Sequence, residues 1–406
     1  MTTSQPAADP ATLPSSAAPA AITAPAHARE IPFSRPSLSA LETRAVATAL
    51  RTARIGGNGP ICKRVQQKIA SQLGVRHALL APNATQAMEM GLLALGIGPG
   101  DEVLMPSFAF VSQANAILQR GATPVFCEID PATMNMDAAD AAKRVGPRTK
   151  LVMPVHYGGV PADLDALGKL AADHKLALYE DAAQAFGSTW NGKPVGAIGR
   201  AGCVSFHETK NVTSGEGGAL LTNDDEFARR CELIQEKGTN RAAFLRGEVD
   251  KYTWVSPGGS YVMSDLLAAL LEVQVQRAAA LQKSRFSLWQ TYYTGLADLE
   301  QKGFLKRPVV PAQAKHNAHT FWFRTSTPQQ QRKLLAHLNG VGIQARFHFQ
   351  PLHASPYARQ TLKLAQSLPI TEREADCLVR LPLHAQVRKR DAQWVVEETR
   401  KALASA

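Results

Sequence analysis

Lys210 stands in "GCVSFHETKNVTSGEGGALLT" (202–222), just after a short apolar run and beside Ser205, His207, Thr209 and Asn211. A lysine in solvent is an ordinary surface cation. One held against an aldehyde forms a Schiff base and, once displaced, becomes a base that moves a proton. Ser205 offers a phosphate a hydroxyl from a rigid strand end, and Gly215, Gly217 and Gly218 give the chain the freedom for a tight return beside it. In "LALYEDAAQAFGS" (176–188) an apolar run leads into Glu180 and Asp181. Asp181 reads either as a helix N-cap or as a carboxylate beneath a heteroaromatic nitrogen, where it would keep that nitrogen protonated. Gln184, three residues on, could face the same cavity. Asn83, Ala84, Thr85 and Gln86 fall where a helix should begin, so they read either as a simple cap or as a phosphate cradle of free amides with the Thr85 hydroxyl added. Of Phe108 and Phe110, one could stack on a planar ring while the other fills core.

These residues need a scaffold that brings strand ends together. "HALLAP", "EVLMP", "TPVFCEI", "KLVMPVH", "LALYED" and "GCVSF" are short apolar runs separated by helical or Gly/Pro-containing text, the pattern of a mostly parallel sheet in an α/β fold. Their carboxyl ends form the edge where such sheets open a crevice. Helices are expected over "LSALETRAVATAL", over "PICKRVQQKIASQL" opened by Pro60, over Glu226 to Glu236 and over Ser264 to Leu299. Later text predicts strands at "HTFWFRT" and "IQARFHF" and helices at "QQQRKLLAHLNG" and "QWVVEETRKAL", the content of a small α+β lobe. The expected division is a disordered Ala/Pro-rich extension over 1–28, a large domain over 29–263, a connecting helical region over 264–301 and a small domain over 302–406.

Composition narrows the classes. At 406 residues, 45% hydrophobic and 19% charged, the chain is neither wholly disordered nor fibrous. No apolar run is long enough for a membrane span, and the first 28 residues lack the pattern of a secretory signal. Five scattered cysteines form no close pair of the kind that binds zinc or cycles as a redox dithiol, so a reducing, cytoplasmic setting is expected and no metal. The net charge of +11 calls for an anionic partner, whether nucleic acid, phospholipid or a phosphorylated metabolite.

The wording of "DEVLMPSFAFVSQANA", "PVHYGGV", "YEDAAQAFGS", "GCVSFHETKN", "GEGGAL" and "FHFQPLH" resembles the DegT/DnrJ/EryC/StrS family of pyridoxal-phosphate-dependent nucleotide-sugar aminotransferases, from about Ile31 to the C-terminal helix. The resemblance implies an aspartate-aminotransferase-like fold of type I. Pyridoxal 5'-phosphate would be the cofactor, cycling through pyridoxamine 5'-phosphate. L-glutamate would be the donor and a dTDP-4-keto-6-deoxy sugar the acceptor. It also implies a homodimer with shared active sites and binding of neither nucleic acid nor membrane. By the same resemblance Lys210 is the Schiff-base lysine, Asp181 pairs with the ring nitrogen and Gln184 packs near the ring. Ala84, Thr85 and Ser205 hold the phosphate, and Phe110 stacks on the ring. An asparagine usually supplied by the partner subunit is here Ser260, which leaves Asn240 as another polar candidate. Arg54, His156, Tyr157, Arg241, Arg346, His348 and His353 are candidates for the sugar or diphosphate, each with a structural alternative. Related sugar dehydratases carry histidine in place of the lysine, so Lys210 points to transamination. Two other classes, a non-catalytic sensor and a nucleic-acid-binding protein, fit less well because Lys210 and Asp181 are intact and no added helix-turn-helix is present.

Overall fold

The structure, a computed structural model, describes residues 30–364 and 366–404. The expected extension over 1–28 lies outside them. The strands are β1 (His77–Ala81), β2 (Glu102–Pro106), β3 (Thr123–Cys127), β4 (Thr149–Val152), β5 (Ala177–Asp181), β6 (Thr189–Trp190), β7 (Lys193–Pro194), β8 (Ala201–Ser205), β9 (Gly218–Thr222), β10 (Leu305–Lys306), β11 (Ala314–Lys315), β12 (Phe321–Thr325) and β13 (Leu378–Leu381). A seven-stranded sheet runs in the order β1-β9-β8-β5-β4-β2-β3, with β9 antiparallel to both its neighbours and the other pairs parallel. The fold is therefore α/β with a mostly parallel central sheet, and all six apolar runs became its strands. They are buried on both faces, which is why they read as unbroken apolar text.

Of the first four helices, the third and fourth border the site, while the first and second lie apart from it. α1 (Ala40–Arg51) starts with a capping box between Ser39 and Glu42. α2 (Pro60–Leu73) has Pro60 in its first turn and ends on the left-handed Gly74. α3 (Ala84–Ala94) follows β1 directly, and α4 (Val111–Leu118) follows β2. A long helix, Asp265–Gly295, packs against α1 and α2. Its buried Asp265 accepts from the Ile61 and Cys62 amides at 3.1 and 2.8 Å, capping α2 from outside. The expected helix over Ser264 to Leu299 instead divides at Leu296, and a short helix, Ala297–Gln301, completes it.

Two apolar clusters cover the faces of the large sheet. A third joins Ile31 and the far end of the long helix to Phe321, Phe323, Leu338, Val379 and Val395. Here β10-β12-β13 form a small antiparallel sheet. "HTFWFRT" supplies β12, but "IQARFHF" is not a strand: it makes only single bridges at Ile343 and Arg346. The chain leaves the sheet there because Phe349 packs edge-on to Phe108 at 5.5 Å and His348 lies against Tyr157 at 5.4 Å, both belonging to the large sheet's loops. All five cysteines are free and buried. No helix among the described residues is long and apolar enough to cross a membrane.

Candidate active site

Gly218 fixes the geometry of the site. In the sheet it is paired with Ala81 on one side and Ser205 on the other. This register sets the start of α3 beside the end of β8. A Cβ at Gly218 would lie 2.4 Å from the Asn83 carbonyl carbon and 2.5 Å from the Ala84 nitrogen, so the close approach requires glycine. Asn83 caps α3 by accepting from the Gln86 amide at 2.8 Å, and the Ala87 amide donates to the Asn83 carbonyl. The amides of Ala84 and Thr85 have no acceptor among the described residues, and both residues border the cavity. Ser205 borders it from β8, and the Thr85 hydroxyl donates to Ser112 Oγ at 2.7 Å. Two helix amides and three hydroxyls thus make an anion cradle.

Asp181 ends β5 on the same edge of the sheet. Its neighbour Glu180 points to the opposite face, as strand alternation demands. There Glu180 accepts from the Gly196, Ile198 and Gly199 amides at 2.7, 2.7 and 2.8 Å. Asp181 is buried and borders the cavity, with the Ala183 amide donating to Oδ1 at 3.0 Å and the Cys203 thiol 3.9 Å away. Burial pushes its carboxyl up from the usual range, while the Ala183 amide and Lys210 pull it down. Lys210 lies on a turn closed by its amide donating to the His207 carbonyl at 2.9 Å. Burial lowers its ammonium to about 8, against the upward pull of Asp181.

The cavity has a volume of about 1950 Å³. Its cations besides Lys210 are Arg285, Arg346 and Arg380. Arg285 is buried against the Ala318 and His319 carbonyls and is lowered to about 9 by burial. Arg380 is lowered to about 10, mainly by burial. Against them stand the carboxylates of Glu30, Asp181 and Glu216, so the wall carries a small excess of cations, and a space of this size suits large ligands with anionic groups.

The cavity brings together Ala84, Thr85, Phe110, Asp181, Gln184, Ser205, Lys210 and His348. Gln184 accepts from the Gly158 amide at 2.8 Å through Oε1. Phe110 is 58% exposed at the start of α4, its ring 6.1 Å from that of Phe349. The other expected residues lie elsewhere. His156 is fully buried: Nδ1 accepts from the Ala162 amide at 3.0 Å, and Nε2 donates to Glu180 at 3.0 Å, so no ring nitrogen is left for a substrate. His353 is equally occupied, between Ser107 and Glu372. Tyr157 is buried and reaches the cavity only through His348. Arg54 borders a different cavity between α1, α2 and the long helix. Asn240, Arg241 and Ser260 do not line the central cavity of their own chain. Asn240 accepts from the Thr253 amide and Ser260 bridges to Glu236, in a segment whose Leu245, Tyr252 and Trp254 are exposed.

Sequence reasoning missed Ser112, Arg285, His319 and Arg380. A faint signal marks Arg380: a cation within the apolar run "LVRLPL", on a largely buried edge strand, needs a reason to be there.

The fold and site define an aminotransferase, and the chain belongs to the DegT/DnrJ/EryC1/StrS aminotransferase family, whose model matches residues 36–400. The aminotransferase TlmJ from Streptoalloteichus hindustanus is 32% identical, with a TM-score of 0.85 over 93% of this chain and 100% of that one. DesV of S. venezuelae is 30% identical, TM-score 0.84, over 92% and 98%. PseC of Helicobacter pylori, an aminotransferase involved in the biosynthesis of pseudoaminic acid, is 25% identical, TM-score 0.86, over 93% and 100%. The chain is thus a sugar aminotransferase of a family that depends on pyridoxal phosphate.

The residues present fit that cofactor. The unclaimed amides of Ala84 and Thr85, with the Ser205 hydroxyl, suit its phosphate. The buried Asp181, with few donors of its own, suits a protonated ring nitrogen, and Lys210 has an amine softened by burial.

Proposed function

We propose that the protein transfers the amino group of L-glutamate to C4 of dTDP-4-oxo-6-deoxy-D-glucose, giving dTDP-4-amino-4,6-dideoxy-D-galactose for surface polysaccharide. This is the activity of a dTDP-4-amino-4,6-dideoxygalactose transaminase. The observation that carries the reading is the convergence of Lys210, Asp181 and the amide cradle on one large cavity with a small excess of cations. The other reading, a 3- or 4-aminotransferase for another nucleotide keto-sugar, shares every one of these residues and differs only in the sugar pocket.

Bound pyridoxal phosphate supplies an aldehyde that carries the nitrogen and a ring that withdraws electrons. The chain's own groups do the rest. The Ala84 and Thr85 amides and Ser205 would hold the phosphate, and Phe110, on the same cavity wall, would pack against the ring. The Asp181 carboxylate keeps the ring nitrogen protonated. The freed Lys210 Nζ takes the α-proton of the donor and later returns a proton to the acceptor sugar. Arg346 and Arg380 hold anionic oxygens of donor and nucleotide.

The third apolar cluster, drawn mostly from the far end of the long helix and the chain after it, supports division into a large domain over 29–263, a connecting region and a small domain over 302–406, with Trp322, Leu352 and Leu378 packing into the large sheet's cluster across that boundary. Asn240 and Ser260, in a segment with exposed apolar side chains, support a homodimer in which each subunit offers this pair to the other's cavity. Incubation with pyridoxal phosphate, glutamate and a panel of nucleotide 3-keto and 4-keto sugars, with products identified by mass and NMR, tests the reading. A 4-amino galacto product supports it, and amination of a 3-keto sugar alone selects the other.

A further inference from the structure

We propose that His319 and His348, held as opposite neutral tautomers by Asn211 and Tyr157, form a paired acceptor and donor on the cavity wall that reads a hydroxyl beside the carbonyl of the acceptor sugar. The proposal rests on the keto-sugar reading above.

The tautomers follow from groups whose hydrogen-bonding roles are fixed. Asn211 Nδ2 donates to the Asn317 carbonyl at 2.7 Å and to Gln282 Oε1 at 3.3 Å. A carbonyl only accepts, so the amide cannot be turned round, and Asn211 Oδ1 must face His319 Nδ1, 3.1 Å away. That oxygen also only accepts. The proton therefore sits on His319 Nδ1, and Nε2 carries a lone pair.

Tyr157 sets the reverse arrangement. Its hydroxyl lies 2.8 Å from His348 Nδ1 and has no other partner among the described residues. If the hydroxyl accepted a proton from Nδ1, its own proton would be stranded in the buried interior, so it donates instead. His348 then carries its proton on Nε2. Phe349, stacked on the His348 ring at 3.6 Å, holds its plane. The Arg285 guanidinium grips the His319 carbonyl at 2.5 Å.

Both rings border the cavity, and neither Nε2 has a hydrogen-bond partner or is sealed from solvent among the described residues. Burial drives both rings well below the usual histidine range. Lys210, Arg285 and Arg380 add repulsion at His319, and Arg380, Lys210 and His319 add it at His348, so both stay neutral.

A lone pair on His319 repels carboxylate and phosphate oxygens and accepts from a hydroxyl. The N–H of His348 donates to a carbonyl. A keto-sugar presents both groups side by side, whereas glutamate presents carboxylates, which the arginines serve better. The pair should therefore act in the sugar half of the reaction and be silent in the glutamate half.

The test has two parts. In protein labelled with 15N histidine, assigned with His319→Gln and His348→Gln variants, the one-bond proton coupling should appear at Nδ1 of His319 and at Nε2 of His348. The opposite tautomer at either ring would overturn the proposal, and this readout requires no turnover. Single-turnover absorbance then follows each half separately. His319→Leu and His348→Leu should lower kcat/KM for the keto-sugar about 10–100-fold, chiefly through KM, with the glutamate half within about threefold. His348→Gln, which keeps an N–H, should recover much of the loss. Equal losses in both halves, or none in the sugar half, would overturn the proposal. If the wild-type protein has the predicted tautomers but aminates no nucleotide keto-sugar, the functional reading fails, not the tautomer assignment.

Discussion

Ser107 Oγ lies 2.6 Å from His353 Nδ1, and the other nitrogen of that ring lies 2.8 Å from Glu372 Oε1. The His353 and Leu352 amides also donate to Ser107, at its Oγ and carbonyl, 3.1 and 2.9 Å away. The loop that carries Phe110 is thus clamped to the chain's C-terminal part, and His353 acts in the clamp. Replacing His353 with Leu leaves the proton of the buried Ser107 hydroxyl without an acceptor, although the residue 353 amide still donates to its oxygen, and should cost about 1–3 kcal/mol in chemical denaturation. Cofactor affinity should fall with it as Phe110 loosens. A raised sugar KM at unchanged stability would show that His353 contacts substrate after all.

Lys210 gives the site a pH dependence with a definite sign. Its folded value of about 8 lies below the ordinary lysine value of 10.5. Capture of pyridoxal phosphate by the cofactor-free protein requires the unprotonated amine, so its rate should rise as pH passes through about 8 and then level off. Stability follows the same logic: between these values the unfolded chain holds the extra proton, so folding gains as pH rises. Cofactor-free Lys210→Met should be more stable than wild type at pH 7, by about 1–2 kcal/mol, and the gap should close above about pH 10.5. Melting curves at the two pH values check this.

The cradle depends on Gly218. Alanine there must push back the Asn83–Ala84 backbone, because the added carbon would meet main chain and not a flexible side chain. The expected result is a 10–100-fold weaker affinity for pyridoxal phosphate, about 1–3 kcal/mol, measured by fluorescence titration. The Gly215→Ala control meets no atom within 4 Å but does strain a left-handed residue, so it should perturb stability more than cofactor affinity.

Trp254, 76% exposed, lies in the same segment as Asn240 and Ser260. If a second subunit covers it, Trp254→Asp should convert a dimer to monomer in analytical ultracentrifugation. Turnover should fall at least tenfold while the monomer stays folded by circular dichroism. A wild-type monomer with full activity would remove the shared-site proposal.

Much of this was legible in the sequence because the sheet's strands are buried on both faces and their ends carry the chemistry. Asp181 and Ser205 close apolar runs and Ala84, Thr85 and Lys210 follow within a few residues of one, so a correct strand assignment also placed them near the cavity. His319, Arg285 and Arg380 were not legible, since they reach the cavity from a distant part of the chain through tertiary packing. For His156 and His353 the structure favours the structural alternative. Polar residues beside conspicuous glycines or in a His-rich phrase look like ligand groups, yet here they satisfy buried partners. The "IQARFHF" segment alternates like a strand, but its rings find better packing on Phe108 and Tyr157 than a third sheet neighbour would offer.

The most direct test of the central claim is a single reaction: purified protein with pyridoxal phosphate, L-glutamate and dTDP-4-oxo-6-deoxy-D-glucose, read by NMR of the sugar product. Stoichiometric 2-oxoglutarate and a 4-amino-4,6-dideoxy sugar of galacto configuration are expected, both abolished in Lys210→Ala. Glutamate consumed with no aminated sugar, or amination that persists in Lys210→Ala, would contradict the claim.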